Sequence, residues 1–256
     1  MALKRPQMEV ISSDDIEIGG DDDYLCAMLI GDGKVGKTFT VLKTCVQPVF
    51  VINCDKKSAL RGARRHGLKF QATKNVVKTA AEMDLALRTA KYKVVEEGFK
   101  TVLLDTLSNY GKSLIREMKA TRVTRDRTPD TRRAWGDFGD IIIDQVERLI
   151  DLPANVIINC HYIQQVDEAG GKKTEHGRVP LLQGRAAKVI PGMMDDIIYM
   201  KKAIKGSPPK GVRIFVTSED GVYGAGGRSV DVSEMPASIK RFMREAGMLP
   251  PLEKKK

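Results

Sequence analysis

The chain has 256 residues, 42% of them hydrophobic, which is enough for a single α/β domain with a sizeable core. No apolar run is long enough to cross a bilayer, and the opening MALKRPQMEV lacks the apolar centre of a secretory leader, which argues against membrane-spanning and secreted classes and makes the cytoplasm the expected compartment. The formal net charge is +10 although Asp14, Asp15, Glu17, Asp21, Asp22 and Asp23 crowd the N-terminus; the remaining body is more basic than the total, which suits a polyanionic partner such as nucleic acid.

In chain order, residues 1–23 read as an acidic, flexible segment, either a solvated tail or a competitor with nucleic acid for the basic surface. YLCAMLIG, Tyr24 to Gly31, reads as a buried strand running into the glycine-bearing GDGKVGKT, and a helix is predicted from near Lys37, carrying Phe39, Val41, Leu42 and Cys45. PVFVINC predicts a second buried strand ending at Cys54. Thr79-Ala-Ala-Glu82 has capping-box spacing, and Met83, Leu87, Ala90 and Val94 recur at helical period until Gly98. TVLLD, Thr101 to Asp105, predicts a third strand. Leu114, Ile115 and Met118 mark a helix, and Phe138, Ile141, Ile142, Gln145, Val146 and Leu149 mark another that Pro153 ends. NVIINCH predicts a fourth strand, with more at Ile197–Met200 and Val212–Thr217 joined through GSPPKG, and a last helix in SIKRFMREAG closed by Gly247. Strands alternating with helices predict a mostly parallel sheet flanked by helices, and the closely spaced late strands predict antiparallel additions at one edge. The four cysteines, Cys26, Cys45, Cys54 and Cys160, show no CxxC spacing and read as reduced thiols of the interior rather than a zinc site.

The chemistry concentrates at Gly31-x-x-x-x-Gly36-Lys37-Thr38. Between a strand and a helix, this spacing makes a phosphate-binding loop: glycines permit close backbone approach, and the amides at the helix N-terminus point at the phosphates. Gly31, Asp32, Gly33, Lys34, Val35, Gly36, Lys37, Thr38 and Phe39 are therefore the expected nucleotide contacts, with Lys37 on the β- and γ-phosphates and the Thr38 hydroxyl on Mg²⁺. Asp105, at the end of an apolar strand, is the expected second metal-side residue. Asp55 closes the preceding strand and would face the γ-phosphate to orient the attacking water if that strand neighbours the loop strand; the competing reading is a turn-forming Asp.

The order of these parts, an acidic residue at Asp55, a metal-side Asp105 and a strand ending at His161, resembles the RecA-type ATPase core. With VLLDTLSN, RAWGDFGD, VIINCH and PLLQGRAAKVIPGMMDDIIYM, the chain more closely resembles phage-encoded, single-domain RecA-like nucleotide-binding proteins, some of which assist single-strand annealing in recombination; the resemblance spans Tyr24 to Arg228. It implies ATP and Mg²⁺ as cofactors, ATP hydrolysis, single-stranded DNA as a partner, a single-strand-binding protein as a further one, a homo-oligomer in the form of a ring or short filament, and the host-cell cytoplasm. It implies a catalytic role at Asp55, where such cores usually carry the longer Glu, and a γ-phosphate-sensing role at His161, where many carry Gln. It also places a mobile DNA-touching loop at Gln164 to Pro180, offering Lys172, Lys173, His176 and Arg178. The segment Lys119 to Trp135 adds Arg122, Arg125, Arg127, Arg132 and Arg133, and Trp135, which could stack on a base but reads more readily as core or interface. Lys201, Lys202 and Arg228 are the candidates for a cation acting on the neighbouring subunit's nucleotide. The implied organisation is a RecA-like domain over 24–232, after the acidic segment, and a C-terminal helix with a basic tail over 233–256. A reading of another class is a nucleotide-gated adaptor that recruits a partner protein, with hydrolysis incidental.

Overall fold

The computed structural model describes residues 24–56, 58–169, 172–203, 212–218, 225–230 and 232–251, with side chains at all of these except 165–176. The acidic head, the GSPPKG turn, the basic tail and the side chains of Lys172, Lys173 and His176 thus lie outside the described residues.

The strand predicted at the start is β1 (Cys26–Gly31), followed by α1 (Lys37–Thr44), β2 (Val49–Asn53), α2 (Arg61–Arg65) and β3 (Gln71–Ala72). Then come α3 (Ala80–Val95), β4 (Thr101–Asp105), α4 (Leu107–Thr121), α5 (Thr131–Ile150) and β5 (Asn155–Cys160). A hairpin of β6 (Tyr162–Ala169) and β7 (Lys172–Pro180) precedes α6 (Ala186–Gly192) and β8 (Asp196–Lys202); β9 (Arg213–Val216), β10 (Gly226–Gly227), β11 (Glu234–Pro236) and α7 (Ile239–Glu245) complete the chain. The capping box of α3 is present, Thr79 and Glu82 each accepting from the other's backbone amide.

The main sheet runs β11-β9-β8-β1-β5-β4-β2-β3, with β10 also on β8. Its centre is parallel, from β8 through β1, β5, β4 and β2 to β3, whereas β9, β10 and β11 add antiparallel, as the spacing of the late strands predicts. Residues of the central strands alternate between faces, as the two-residue period of a strand requires. Leu25, Ala27, Leu29, Val51, Leu103 and Ile157 pack under α1, α2 and α7, and Met28, Ile30, Ile52, Leu104 and Ile158 pack under α3, α4, α5 and α6. The C-terminal α7 belongs to the first of these layers: Ile239, Phe242 and Met243 are buried in it, at roughly 1.5–3 kcal/mol per side chain.

The polar stretch expected as a loop at Gln164 to Pro180 is instead a two-stranded antiparallel hairpin separate from the main sheet. Tyr162, Ile163, Val166 and Val179 supply strand-forming residues that the polar composition masks. Among the described residues no helix is long and apolar enough to cross a membrane.

Candidate functional site

The loop between β1 and α1 is shaped by two close backbone approaches. A Cβ on Gly31 would stand 2.5 Å from the Met200 carbonyl oxygen on neighbouring β8, and one on Gly36, at φ 103°, would stand 2.6 Å from Arg213 Nε. Neither position admits a side chain without displacing its neighbour. No side chain caps α1, so its first amides keep the donors that a phosphate group accepts from. Lys37 is only 6% exposed, and its Nζ donates to the carbonyls of Gly31 at 2.8 Å and Asp32 at 3.0 Å. Burial pulls its pKa below the ordinary lysine value, while Asp105, Asp32 and Asp55 oppose the shift. Of the other expected contacts, Asp32, Gly33 and Lys34 are exposed, Val35 is buried and Phe39 packs edge-on against His66 at 5.1 Å.

Asp105 and Thr38 meet directly. The Thr38 hydroxyl donates to Asp105 Oδ2 at 2.8 Å, and Asn159 Nδ2 donates to Asp105 Oδ1, also at 2.8 Å. Sequence reading passed over Asn159, although a polar residue inside the apolar run VIINC was a visible signal. It sits on β5, which lies between β1 and β4, so its amide spans the gap between the loop strand and the metal-side strand. Asp105 is 1% exposed; burial pushes its pKa up against the two donors. Asn159 Oδ1 is buried and has no hydrogen-bond partner among the described residues. A hydroxyl and a carboxylate beside an unsatisfied buried carbonyl oxygen suit a hard cation that keeps water ligands, and Mg²⁺ fits that donor set.

Asp55 needs a correction. Its strand β2 pairs with β4 and β3, and β4 and β5 separate it from β1, so the neighbouring of strands that was to bring it to the γ-phosphate does not occur. Sequence adjacency misleads here because crossover connections let the chain skip positions in a parallel sheet. The carboxylate still belongs to the same charged group: it raises the pKa of Asp105 and opposes proton loss from Lys37 and His161. Its Oδ1 accepts from the Lys56 amide at 2.7 Å. His161 follows β5, half-buried, with its amide donating to Ser108 Oγ at 3.0 Å; burial and then Lys37 hold its pKa below the usual range. Beside Asp55 opens a cleft of about 660 Å³ lined by Lys56, Lys78, Lys112 and Arg116 among others.

The basic residues divide by what they touch. Arg122 is paired with Asp137 at 2.5 Å, and Arg133 stands 3.9 Å from the same carboxylate. Arg125, Arg127 and Arg132 are exposed, and no carboxylate among the described residues pairs with them. Trp135, 37% exposed, lies edge-on to Phe138 with the Lys119 ammonium 5.1 Å from its ring, in keeping with an interface or half-core position. Arg178 points back to the main sheet: it donates to Tyr199 Oη at 3.1 Å and lies over the Tyr162 ring at 5.2 Å. The side chain expected to reach DNA therefore fastens the root of the hairpin to β8, and desolvation there raises the Tyr199 pKa to about 12. Lys201, paired with Glu234 at 2.7 Å, and Lys202 lie at the loop end of β8, whereas exposed Arg228 lies at the opposite end, next to Asp196. Arg213, which no sequence motif marks, donates from Nε to the Val35 carbonyl at 2.7 Å.

A family model described as an AAA domain (AAA_24) matches residues 23–229. Among solved structures, a KaiC-like protein from the hyperthermophilic archaeon Pyrococcus horikoshii OT3 is similar at 13% identity and a TM-score of 0.36, over 82% of this chain and 83% of that one. No curated protein matches the chain.

Proposed function

The chain belongs to the AAA domain family, and from that premise we propose that it is a Mg²⁺-dependent ATPase of the RecA type whose cycle controls binding to single-stranded DNA. The observation that carries the nucleotide half is the 2.8 Å contact between the Thr38 hydroxyl and Asp105, one residue from a lysine buried in the phosphate loop. Lys37 exchanges its two carbonyl partners for phosphate oxygens. Thr38 and Asp105 would hold the metal, Asp105 being fixed in rotamer by Asn159. Bound Mg²⁺ supplies positive charge that offsets the charge developing on the phosphate oxygens. Asp55 orients the attacking water, its carboxylate acting on Lys37, Asp105 and His161 although both β4 and β5 lie between β2 and β1. His161 senses the outcome and lies one residue before the hairpin, so a shift at its imidazole moves the strand that follows.

The DNA half is supported by the net charge of +10, by Arg125, Arg127 and Arg132, which pair with no carboxylate among the described residues before and at the start of α5, and by the hairpin leaving the end of β5. The assembly proposed is a ring or short filament in which Lys201, Lys202 or Arg228 serves the neighbouring nucleotide, and the biological setting proposed is phage DNA recombination, annealing or repair. The test is ATP turnover with Mg²⁺ or with chelator, each with and without oligo(dT). Turnover that needs Mg²⁺ and rises with oligo(dT) is expected. Turnover indifferent to chelator overturns the metal site, and absence of both stimulation and salt-sensitive oligo(dT) binding overturns the DNA half.

A second reading, a nucleotide-gated adaptor that recruits a partner, is favoured by one detail: Asp55 is held by its own following amide on a strand remote from the loop strand. Asp55→Ala discriminates. Loss of turnover with assembly and function intact supports the adaptor; loss of both supports the ATPase.

A further inference from the structure

We propose that Arg213 is a cation of the phosphate cradle acting within its own chain, with its Nε spent on holding the loop and its terminal amino groups available to nucleotide phosphate oxygens. This deepens the nucleotide reading and rests on it. The placement follows from the sheet. β9 runs antiparallel to β8 with Arg213 opposite Lys202, two residues beyond the Met200 that faces Gly31. The start of β9 therefore overhangs the end of β1, where the phosphate loop begins. From there Arg213 Nε donates to Val35 O at 2.7 Å, and both Cζ and Nη2 lie 3.0 Å from where a Cβ on Gly36 would stand. The guanidinium thus occupies the space that glycine leaves open.

Two further observations turn a loop strap into an anion-binding group. The first is what Arg213 lacks. Arg122, Arg148, Arg185 and Arg241 all have a carboxylate between 2.5 and 3.7 Å. Arg213 has no carboxylate partner among the described residues, and the one side-chain hydrogen bond it makes among them goes to an uncharged carbonyl. The second is the charge around it. Asp32, Asp55 and Asp105 all act electrostatically on the one buried ammonium, Lys37. A polyphosphate entering that group meets repulsion that Lys37 alone does not offset, and a Mg²⁺ at Thr38 and Asp105 would bring the group only to about neutral, which leaves a role for a further cation. A guanidinium already against the loop supplies positive charge with no rearrangement.

The experiment titrates a fluorescent mant-ADP with Mg²⁺ into the native chain and into Arg213→Lys, Arg213→Gln and Arg213→Ala, with thermal midpoints measured on each. The expected result is that Gln and Ala weaken binding roughly ten- to a hundredfold while Lys retains most of it, with midpoints close to native. Affinities unchanged in Gln and Ala overturn the proposal alone. Equal losses in Lys, Gln and Ala, tracking a lowered midpoint, also overturn it, because they describe a strap without a charge role. A native chain that binds no mant-ADP overturns this proposal together with the nucleotide reading. A measurement on the native chain covers variants that fail to fold: nucleotide should protect Arg213 from phenylglyoxal, read by peptide mass. Equal labelling with and without nucleotide overturns the assignment.

Discussion

Strand β5 carries two buried asparagines, one at each end, and they behave differently. At the start, Asn155 Oδ1 accepts from the Leu25 amide at 3.0 Å and Nδ2 donates to the Lys100 carbonyl at 2.8 Å, so one side chain closes the sheet between the segments before β1 and β4. At the end, Asn159 donates to Asp105 and leaves Oδ1 without a partner among the described residues. The same residue type, on the same strand and between the same two neighbours, is fully satisfied at one edge and half satisfied at the other. A fold dictated by stability alone would close both, since a buried unpaired polar group costs about 1–3 kcal/mol. The open end is also where Lys37, Thr38, Asp55 and His161 act on one another and on Asp105, which is where the proposed function puts its ligand.

The largest effect that tests this contrast is at the open edge. Lys37→Ala should weaken Mg-ATP binding or turnover by about two orders of magnitude or more, with the fold retained. Turnover at the native rate would detach the loop from the activity. Next comes the pair itself. Asn155→Ala strands the Leu25 amide and the Lys100 carbonyl and should lower unfolding free energy by about 1–3 kcal/mol per stranded group, with nucleotide affinity unchanged. Asn159→Ala removes an unsatisfied oxygen along with a donor, so its stability cost should be smaller while the Mg²⁺ dependence of turnover deteriorates; denaturant titration and metal titration of both variants check the reversal. Equal behaviour of the two would erase the distinction between the edges.

A smaller effect concerns pH. His161 has its pKa held below the ordinary 6.5 by burial and by Lys37. Between that depressed value and about 6.5 the unfolded chain binds more protons than the folded one, so this residue makes stability rise with pH across the window and fall as pH drops through it. His161→Gln should therefore lose less stability than the native chain on going from neutral to mildly acidic buffer, and the difference should be small because the ring is only partly buried. A variant with an identical acid-side loss would place the titrating group elsewhere. Smallest is Arg122→Ala. Its pair with Asp137 is partly exposed and should contribute about 0–1 kcal/mol, so any large loss of oligo(dT) affinity in this variant would report on DNA rather than on folding.

Local signals carried much of the architecture. A buried strand running into spaced glycines and then a helix is legible because each part is a short-range preference, and the same holds for Thr79 and Glu82 at the start of α3 and for the apolar strand that ends in Asp105. Composition misled at Gln164 to Pro180, where a two-stranded hairpin outside the main sheet can be built from polar residues because little beyond its root, at Tyr162 and Arg178, packs on the main core. Arg178 misled for a related reason: charge in a loop suggests a solvent-facing partner, and only the approach of Tyr162 and Tyr199 shows where the guanidinium goes.

Residue order along the chain was enough to predict a phosphate loop, its lysine and a carboxylate for the metal side, because backbone conformation and strand burial are set by neighbours a few positions away. Which strands lie side by side was decided only when the chain packed. That packing inserted β5 between β1 and β4, carried Asp55 away from the loop strand, and laid Arg213 across Gly36 from 177 positions down the chain. Contacts of that kind come from helices choosing faces of a sheet, a collective outcome of burying apolar surface that no short stretch of residues encodes.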